Sequence, residues 1–369
     1  MINFDKAAQA PILPEVKEAI IEAMDQGYGN PSSVYNIGKL AKDKLEECRQ
    51  KIADTINADP SEIIFTSGST EVINWFARNY LHRSSRIEHH AIDRFHIDNE
   101  YSLKLNKNTY QIDLNQFKEQ STQGRYGASY MVSYVNNEIG VINPIKEMGA
   151  IKHSKSLLFV DGTQAYGHIP IDVKVDNMDF MCVSAQKFGG ISGCGFLYKK
   201  NNDTNFPIPI SRGGSQEHNF RAGTENLIGI IAMTKAAEIC YDNLREKRRR
   251  VSEVRNYLYG DIIKKFKCAH LNGSTDWKYR YEGNLNFRFD GYKGEEIQSF
   301  LNDFDIFVST GSACSSGDGE PSHVLKAIGL TDEEAGSSIR ITFDWNNSIE
   351  EAESFILCLD HALKILNHV

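Results

Sequence analysis

Short, largely apolar runs alternate along the first part of the chain with stretches whose apolar residues recur at three- and four-residue spacing. Residues 63–65, 129–135, 157–160, 180–183 and 195–198 are runs of the first kind; 70–80 and 145–153 are of the second. Runs without a polar face predict strands buried on both sides, and the intervening helices predict a mostly parallel sheet covered on both faces, an α/β fold. Beyond residue 224 the pattern changes. Residues 226–258 read as one long helix, followed by short strands at 285–289 and 339–343 among amphipathic helices at 295–301 and 349–366. That predicts a second, smaller α+β domain joined to the first by the long helix. The amphipathic run 13–26 belongs to one of the two, and the pattern does not say which.

Composition narrows the function classes. With 369 residues, 41% hydrophobic and 24% charged, the chain is globular and long enough for two or three domains. Its 41 Lys+Arg against 49 Asp+Glu give a net charge of −8, which argues against general nucleic-acid binding. The run 227–233 is too short to cross a bilayer, and the first residues show no basic-then-apolar signal. Seven cysteines, an odd number without a C-x-x-C pair, argue against a disulfide framework or a zinc ribbon. A reducing, cytoplasmic setting without membrane contact is the expectation.

Several segments carry chemistry-bearing residues. Phe65-Thr66-Ser67-Gly68-Ser69-Thr70-Glu71 joins a strand to a helix; it reads as an N-cap or as an anion cradle. Asp161, just past a buried strand, either caps a turn or meets a ligand cation at the carboxyl edge of the sheet. Lys187, beside Gly189 and Gly190, is a solvated lysine or a carbonyl-condensing amine. Cys314 sits in Ser309-Thr310-Gly311-Ser312-Ala313-Cys314-Ser315-Ser316-Gly317, an uncluttered setting that suits an accessible thiol, whereas Cys182 and Cys358 lie in apolar core-like contexts. Glu88-His89-His90 with His96 matches no zinc spacing, and no metal is expected; a ring at a strand end stacked on a ligand is the better reading of the histidines. Arg340 suits carboxylate recognition or a surface ion pair. The basic run Arg245–Arg250 reads as a solvated face or, less commonly, a docking surface for an acidic partner.

The order and wording of these segments resemble the cysteine desulfurases, pyridoxal 5'-phosphate (PLP) enzymes of the class V aminotransferase fold. The resemblance rests on Gly29-Asn30-Pro31-Ser32-Ser33, Ser67-Gly68-Ser69-Thr70-Glu71, Glu88-His89-His90-Ala91 and Val135-Asn136-Asn137-Glu138-Ile139-Gly140. It continues through Asp161-Gly162-Thr163-Gln164, Ser184-Ala185-Gln186-Lys187, Arg221-Ala222-Gly223-Thr224-Glu225-Asn226, Gly311-Ser312-Ala313-Cys314-Ser315 and Ser338-Ile339-Arg340. The stretch from the cysteine to Glu320-Pro321-Ser322-His323 resembles the group with an extended, mobile catalytic loop. The resemblance implies a homodimer of fold type I, with a large cofactor-binding domain near 14–254 and a small α+β domain formed by 1–13 and 255–369. It implies that Lys187 carries PLP, Asp161 pairs with the pyridinium nitrogen and His89 stacks on the ring and shuttles protons. Gln164 and Asn137 would bind near the ring oxygen, Ser69, Thr70, Ser184 and Gln186 the phosphate, and Thr224 the phosphate of the other subunit. Arg340 would clamp the carboxylate of L-cysteine, with Asn137 beside it, and Cys314 would take the sulfur as a persulfide and pass it to a protein acceptor.

Two departures stand out. Gln186 replaces the histidine usual before the lysine, which implies weaker PLP retention, and Lys6-Ala7-Ala8-Gln9-Ala10-Pro11 departs from the usual N-terminal block. With a stretch Leu81–Glu88 that is compressed and a carboxyl tail that is short, these changes resemble specialised desulfurases, such as those serving DNA phosphorothioation, more than general iron–sulfur suppliers. A PLP aminotransferase or selenocysteine lyase, which would not need Cys314, and an inactive scaffold in a sulfur relay are the competing readings.

Overall fold

A computed structural model of the chain describes residues 1–96, 101–122, 127–201, 208–310 and 321–366. It opens with a two-residue strand, β1 (Ile2–Asn3), and then builds a six-stranded sheet from β2 (Ile63–Thr66), β3 (His82–Arg83), β4 (Ser129–Ser133), β5 (Leu157–Asp161), β6 (Phe180–Ser184) and β7 (Gly195–Lys199). The spatial order is β2-β7-β6-β5-β4-β3. Strands β3 to β6 are mutually parallel, and β7 runs antiparallel between β6 and β2. The mostly parallel α/β sheet read from the sequence is therefore what the chain forms.

Alternation explains why these strands carry no polar face. Ile63, Phe65, Tyr130, Val132, Leu158, Val160, Met181, Val183, Phe196 and Tyr198 enter one buried cluster. Their neighbours Ile64, Met131, Phe159, Phe180, Cys182 and Leu197 enter another, with Val72, Ile73, Trp75 and Phe76 of the Ser69–Asn79 helix. Each face of the sheet thus has its own helical cover, and polar residues are displaced to the strand ends. The Pro14–Asp25 helix packs on the Leu227–Tyr241 helix, and Leu13, Val16 and Ala23 join the large cluster, which answers the question left open for 13–26.

A three-stranded antiparallel sheet, ordered β11-β9-β8, comes from β8 (Ala269–Leu271), β9 (Asn284–Phe289) and the later β11 (Ser338–Thr342); β10 (Ile306–Phe307) pairs in parallel with β1. Phe4 packs edge-on against Phe343 and Phe355, so the start of the chain is held in the cluster of its last third.

The single helix expected over 226–258 is corrected to two, Leu227–Tyr241 and Leu244–Lys265. Asp242 is extended (φ −63°, ψ 122°) and Asn243 is left-handed (φ 50°). Asp and Asn tolerate such a break because their short side chains compete for backbone hydrogen bonds. The second helix turns Val251, Val254, Leu258 and Ile262 into the cluster that holds Phe4. Its basic run is largely neutralised locally: Arg249 pairs with Glu246 and Glu253, Arg250 with Glu246, and Arg248 with Glu282.

Candidate active site

Because β4, β5 and β6 are parallel, and β2 and β6 both oppose β7, the carboxyl ends of these four strands share one rim of the sheet. Asp161 ends β5, Ser184 ends β6 and Thr66 ends β2; all three are buried. The chain leaves β2 through Gly68 at φ 141°, a conformation that favours glycine, and the Ser69–Asn79 helix starts at once without a side-chain cap. A Cβ on Gly195 would collide with Val183 O and Gly68 Cα, so a second glycine lets this loop lie against the sheet.

Hydroxyls tie the rim together. Ser69 N donates to Ser184 Oγ at 2.7 Å, the two serine hydroxyls are 3.0 Å apart, and Ser69 Oγ is 2.6 Å from Thr163 Oγ1. Thr163 then grips Asp161: its amide donates to Oδ1 at 3.0 Å and its hydroxyl donates to the same oxygen. Cys182 Sγ also donates to Oδ1, at 3.5 Å. Among the described residues every hydrogen bond to the Asp161 carboxylate falls on Oδ1, so Oδ2 is left for a cationic partner. With Ser69 N taken by Ser184 Oγ, the next first-turn amides of the Ser69–Asn79 helix, with the helix dipole behind them, suit an anion.

Lys187 lies in the turn Ala185–Lys187 that follows β6. Its Nζ donates to Ala7 O at 2.9 Å and Ala8 O at 2.6 Å. Gln164 Nε2 donates to the same Ala7 carbonyl at 2.9 Å, and Ala10 N donates to Gln186 O at 2.9 Å. The altered N-terminal block therefore lies directly over the lysine. Gln186 itself has a buried Oε1 without a partner among the described residues.

His89 does not sit at a strand end, as expected, but N-caps the short His90–Asp93 helix, its Nδ1 accepting from Ala91 N at 3.1 Å. That bond places the ring proton of the neutral form on Nε2. Burial lowers its pKa; Asp161 opposes the shift, while Lys187, His323 and Arg340 reinforce it. Burial likewise lowers His90, with His323 and His89 adding. Beneath them Glu88 is fully buried, accepting from Ser85 Oγ at 2.6 Å and Ser133 N at 2.7 Å, and burial pushes it up to about 7. Glu138, beside Asn137, is pushed to about 7 by the same cause. His96 is apart from this group, held between Ser84 Oγ (2.9 Å) and Ser102 Oγ (3.2 Å), so 88–90 and 96 form no metal cluster.

Arg340, in β11, is buried. Its Nη2 donates to Asp5 Oδ1 at 2.8 Å and its Nη1 to Asn137 O at 3.1 Å, and among the described residues its buried Nε has no partner. Arg340 and Ser309 exchange backbone hydrogen bonds of 2.6 and 3.1 Å, which anchors the chain just before 311–320. Cys314 falls in 311–320 and lies outside the described residues.

The fold thus gathers Ser69, Asp161, Gln164, Ser184 and Lys187 on the rim, brings His89 into electrostatic reach of Asp161, Lys187 and Arg340, and joins Asn137 to Arg340. Thr70 is exposed at the helix start, and Thr224 is exposed in the loop before Leu227. Sequence reading missed Thr163, which carries the hydroxyl chain to Asp161, and Asp5, which holds Arg340. It also missed the Arg49–Glu217 pair: Arg49 Nη1 and Nη2 lie 2.8 and 2.9 Å from the carboxylate, which also accepts from Phe65 N at 2.7 Å. Thr163 stood inside a quoted motif; Asp5 and Glu217 gave no signal of their own.

The family description "Aminotransferase class-V" matches residues 2–355. Cysteine desulfurase IscS of Methanosarcina thermophila is 37% identical over 368 residues, covering 95% of this chain and 89% of that protein. A solved NifS-like protein from Rickettsia africae superposes with a TM-score of 0.87 at 28% identity, covering 99% of each chain. A structure of SspA in complex with cysteine superposes at 0.77 and 26% identity, covering 93% of this chain and 99% of that one. The chain belongs to the class V aminotransferase family and, within it, to the cysteine desulfurases. No described helix is long and apolar enough to cross a membrane.

Proposed function

We propose that the chain is a PLP-dependent cysteine desulfurase that converts L-cysteine to L-alanine and loads the sulfur on Cys314. The observation that carries this reading is the shared rim: an uncapped helix start, a hydroxyl chain to Asp161, and the amine of Lys187 in one place. The residues fit the cofactor. Asp161 keeps Oδ2 for a ring nitrogen, and the first-turn amides with Ser69, Thr70 and Ser184 suit a phosphate, with the amide of Gln186 beside them.

When bound, PLP supplies the electron sink for the pair released at the substrate Cα. The chain's own residues do the rest. Arg340 holds the substrate carboxylate in the bidentate manner of a guanidinium, beside Asn137. Lys187 Nζ would hold the cofactor and, when free, would take the Cα proton. His89 Nε2 would carry protons between substrate and amine, and burial, which lowers its pKa, favours the neutral ring for that work. At Cys314 the substrate Cβ–S bond breaks, an S–S bond forms to Sγ, and hydrogen replaces sulfur on Cβ. The carbon is reduced as the sulfur is oxidised, so no external oxidant enters.

The exposed Thr224 is available to the phosphate of a second subunit, and exposed Val34, Tyr35, Ile37 and Leu40 give an apolar surface for a homodimer. Onward delivery goes to an acceptor thiol on another protein in a reducing, cytoplasmic setting. The test is alanine and sulfide release from L-cysteine, comparing the PLP-loaded chain with Cys314→Ala. The expected result is a coloured variant that makes neither product. A coloured wild type inert towards cysteine, or an equally active variant, overturns the assignment.

A further inference from the structure

Next to the rim lies a cluster that the desulfurase chemistry does not use. His90 and Asp93 stand three residues apart on one short helix, and His323 opens the His323–Ala327 helix from the far end of the sequence. One ligand-type atom from each of the three lies within 4.8 Å of the others, and all three residues are half-buried. The imidazole rings of His90 and His323 have centroids 4.5 Å apart.

Their hydrogen bonding singles the group out. His323 Nε2 is 2.9 Å from the Glu88 carbonyl, so it carries the proton and its Nδ1 lone pair is left to ligate. A backbone carbonyl on the second nitrogen is how proteins orient a metal-binding histidine. Asp93 Oδ1 is buried and, among the described residues, has no hydrogen-bond partner, an arrangement that costs roughly as much as a lost hydrogen bond unless a cation meets it. Lys and Arg do not fill that role: among the described residues no salt bridge to Asp93 is formed.

We propose that His90, Asp93 and His323 form a divalent transition-metal site, taking Zn2+, that clips the His90–Asp93 helix to the His323–Ala327 helix. Two imidazoles and one carboxylate are a zinc donor set with a fourth position for water. Zinc–ligand bonds of about 2.0–2.2 Å place tetrahedral donors roughly 3.3 Å apart, which side-chain torsions reach from the present separation. The sequence reading expected no metal because the spacing of Glu88-His89-His90 with His96 matches no zinc signature; His323, 233 positions beyond His90, did not enter it. The site does not depend on the desulfurase reading, and its test reads metal, not turnover.

The experiment uses the PLP-loaded full chain in a Cys314→Ala background, which removes a competing thiol ligand. The protein is stripped by chelator, titrated with Zn2+ alone and measured for bound metal; Co2+ loading reports ligand geometry through its visible bands. The expected result is one Zn2+ per chain. His90→Ala, His323→Ala and the isosteric Asp93→Asn should each weaken binding by more than the roughly 10–100-fold that losing an outer hydrogen-bond partner costs. A parent that takes up no Zn2+, or uptake unchanged in the folded His90→Ala/His323→Ala variant, overturns the proposal.

Discussion

Arg340 Nη2 meets Asp5 Oδ1 at 2.8 Å, across 335 positions of sequence. The guanidinium expected to clamp the substrate carboxylate is thus already aimed by a residue of the N-terminal strip, and the Asn137 carbonyl holds its other amine. Charge-assisted hydrogen bonds of this kind contribute about 1.5–3 kcal/mol. Arg340→Lys removes the planar fork, and a rise in KM for L-cysteine of at least about 10-fold is expected. Asp5→Asn should raise KM by less, with kcat nearly kept, since it only loosens the aim. Steady-state kinetics decide it; a lowered KM in Asp5→Asn would mean that Asp5 competes with substrate.

Gln186 offers a second test. Its buried Oε1 lacks a partner among the described residues, and an amide carries no charge to a phosphate. Gln186→His introduces a side chain that can become charged and donate. One charge-assisted bond is worth a factor of roughly 10 in affinity. PLP loss during dialysis, followed by absorbance, should slow by about that factor. Unchanged retention would show that position 186 does not govern the phosphate.

Glu88 makes stability depend on pH in a stated direction. Its ordinary value is 4.5 and burial raises it to about 7. Between those values the folded chain keeps a proton that the unfolded chain has released, so stability falls as pH rises through the window and levels above it. The full span is worth about 3 kcal/mol. Glu88→Gln keeps a neutral amide in the same place, its oxygen accepting from Ser133 N and its nitrogen facing Ser85 Oγ. The variant should match wild type near pH 5 and exceed it near pH 8 in denaturant midpoint. Equal pH slopes for the two proteins would mean that Glu88 ionises freely in the fold.

Local signals explain what the sequence made legible. Strands 157–160 and 180–183 could be read because their neighbours on both faces are apolar, and Asp161 and Ser184 could be placed because parallel strands end on one rim. The break at Asp242–Asn243 was visible as a pair of turn-forming residues, but the apolar spacing on either side outweighed it. Contacts between distant positions were out of reach: Asp5 with Arg340, His323 with His90, and Ala7 and Ala8 with Lys187. No periodicity or motif encodes which side chains a fold brings together from opposite ends of its chain.

The buried pair Arg49–Glu217 shows the same point energetically. Glu217, His218 and Asn219 are consecutive left-handed residues (φ 45°, 55° and 67°), a conformation that costs non-glycine residues free energy. What holds them is the Glu217 carboxylate, bonded to both Arg49 amines and to the β2 amide of Phe65. This turn precedes the loop that carries Thr224, and Arg221 in that loop pairs with Glu71 at 2.6 Å, beside the helix start on the rim. Removing Glu217 leaves buried Arg49 with only the half-exposed Glu46, 3.1 Å from its Nε, and removing Arg49 strands the buried Glu217 carboxylate; breaking such a pair costs about 3–5 kcal/mol, less where Glu46 still compensates. Glu217→Ala should therefore lower the denaturant midpoint by that equivalent and speed PLP loss, because the turn no longer fixes the loop. Arg49→Met should cost a similar amount. The Arg49→Met/Glu217→Ala chain should be more stable than the sum of the single losses implies, since neither charge is stranded. Additive losses would place the origin of the turn's stability elsewhere than in this ion pair.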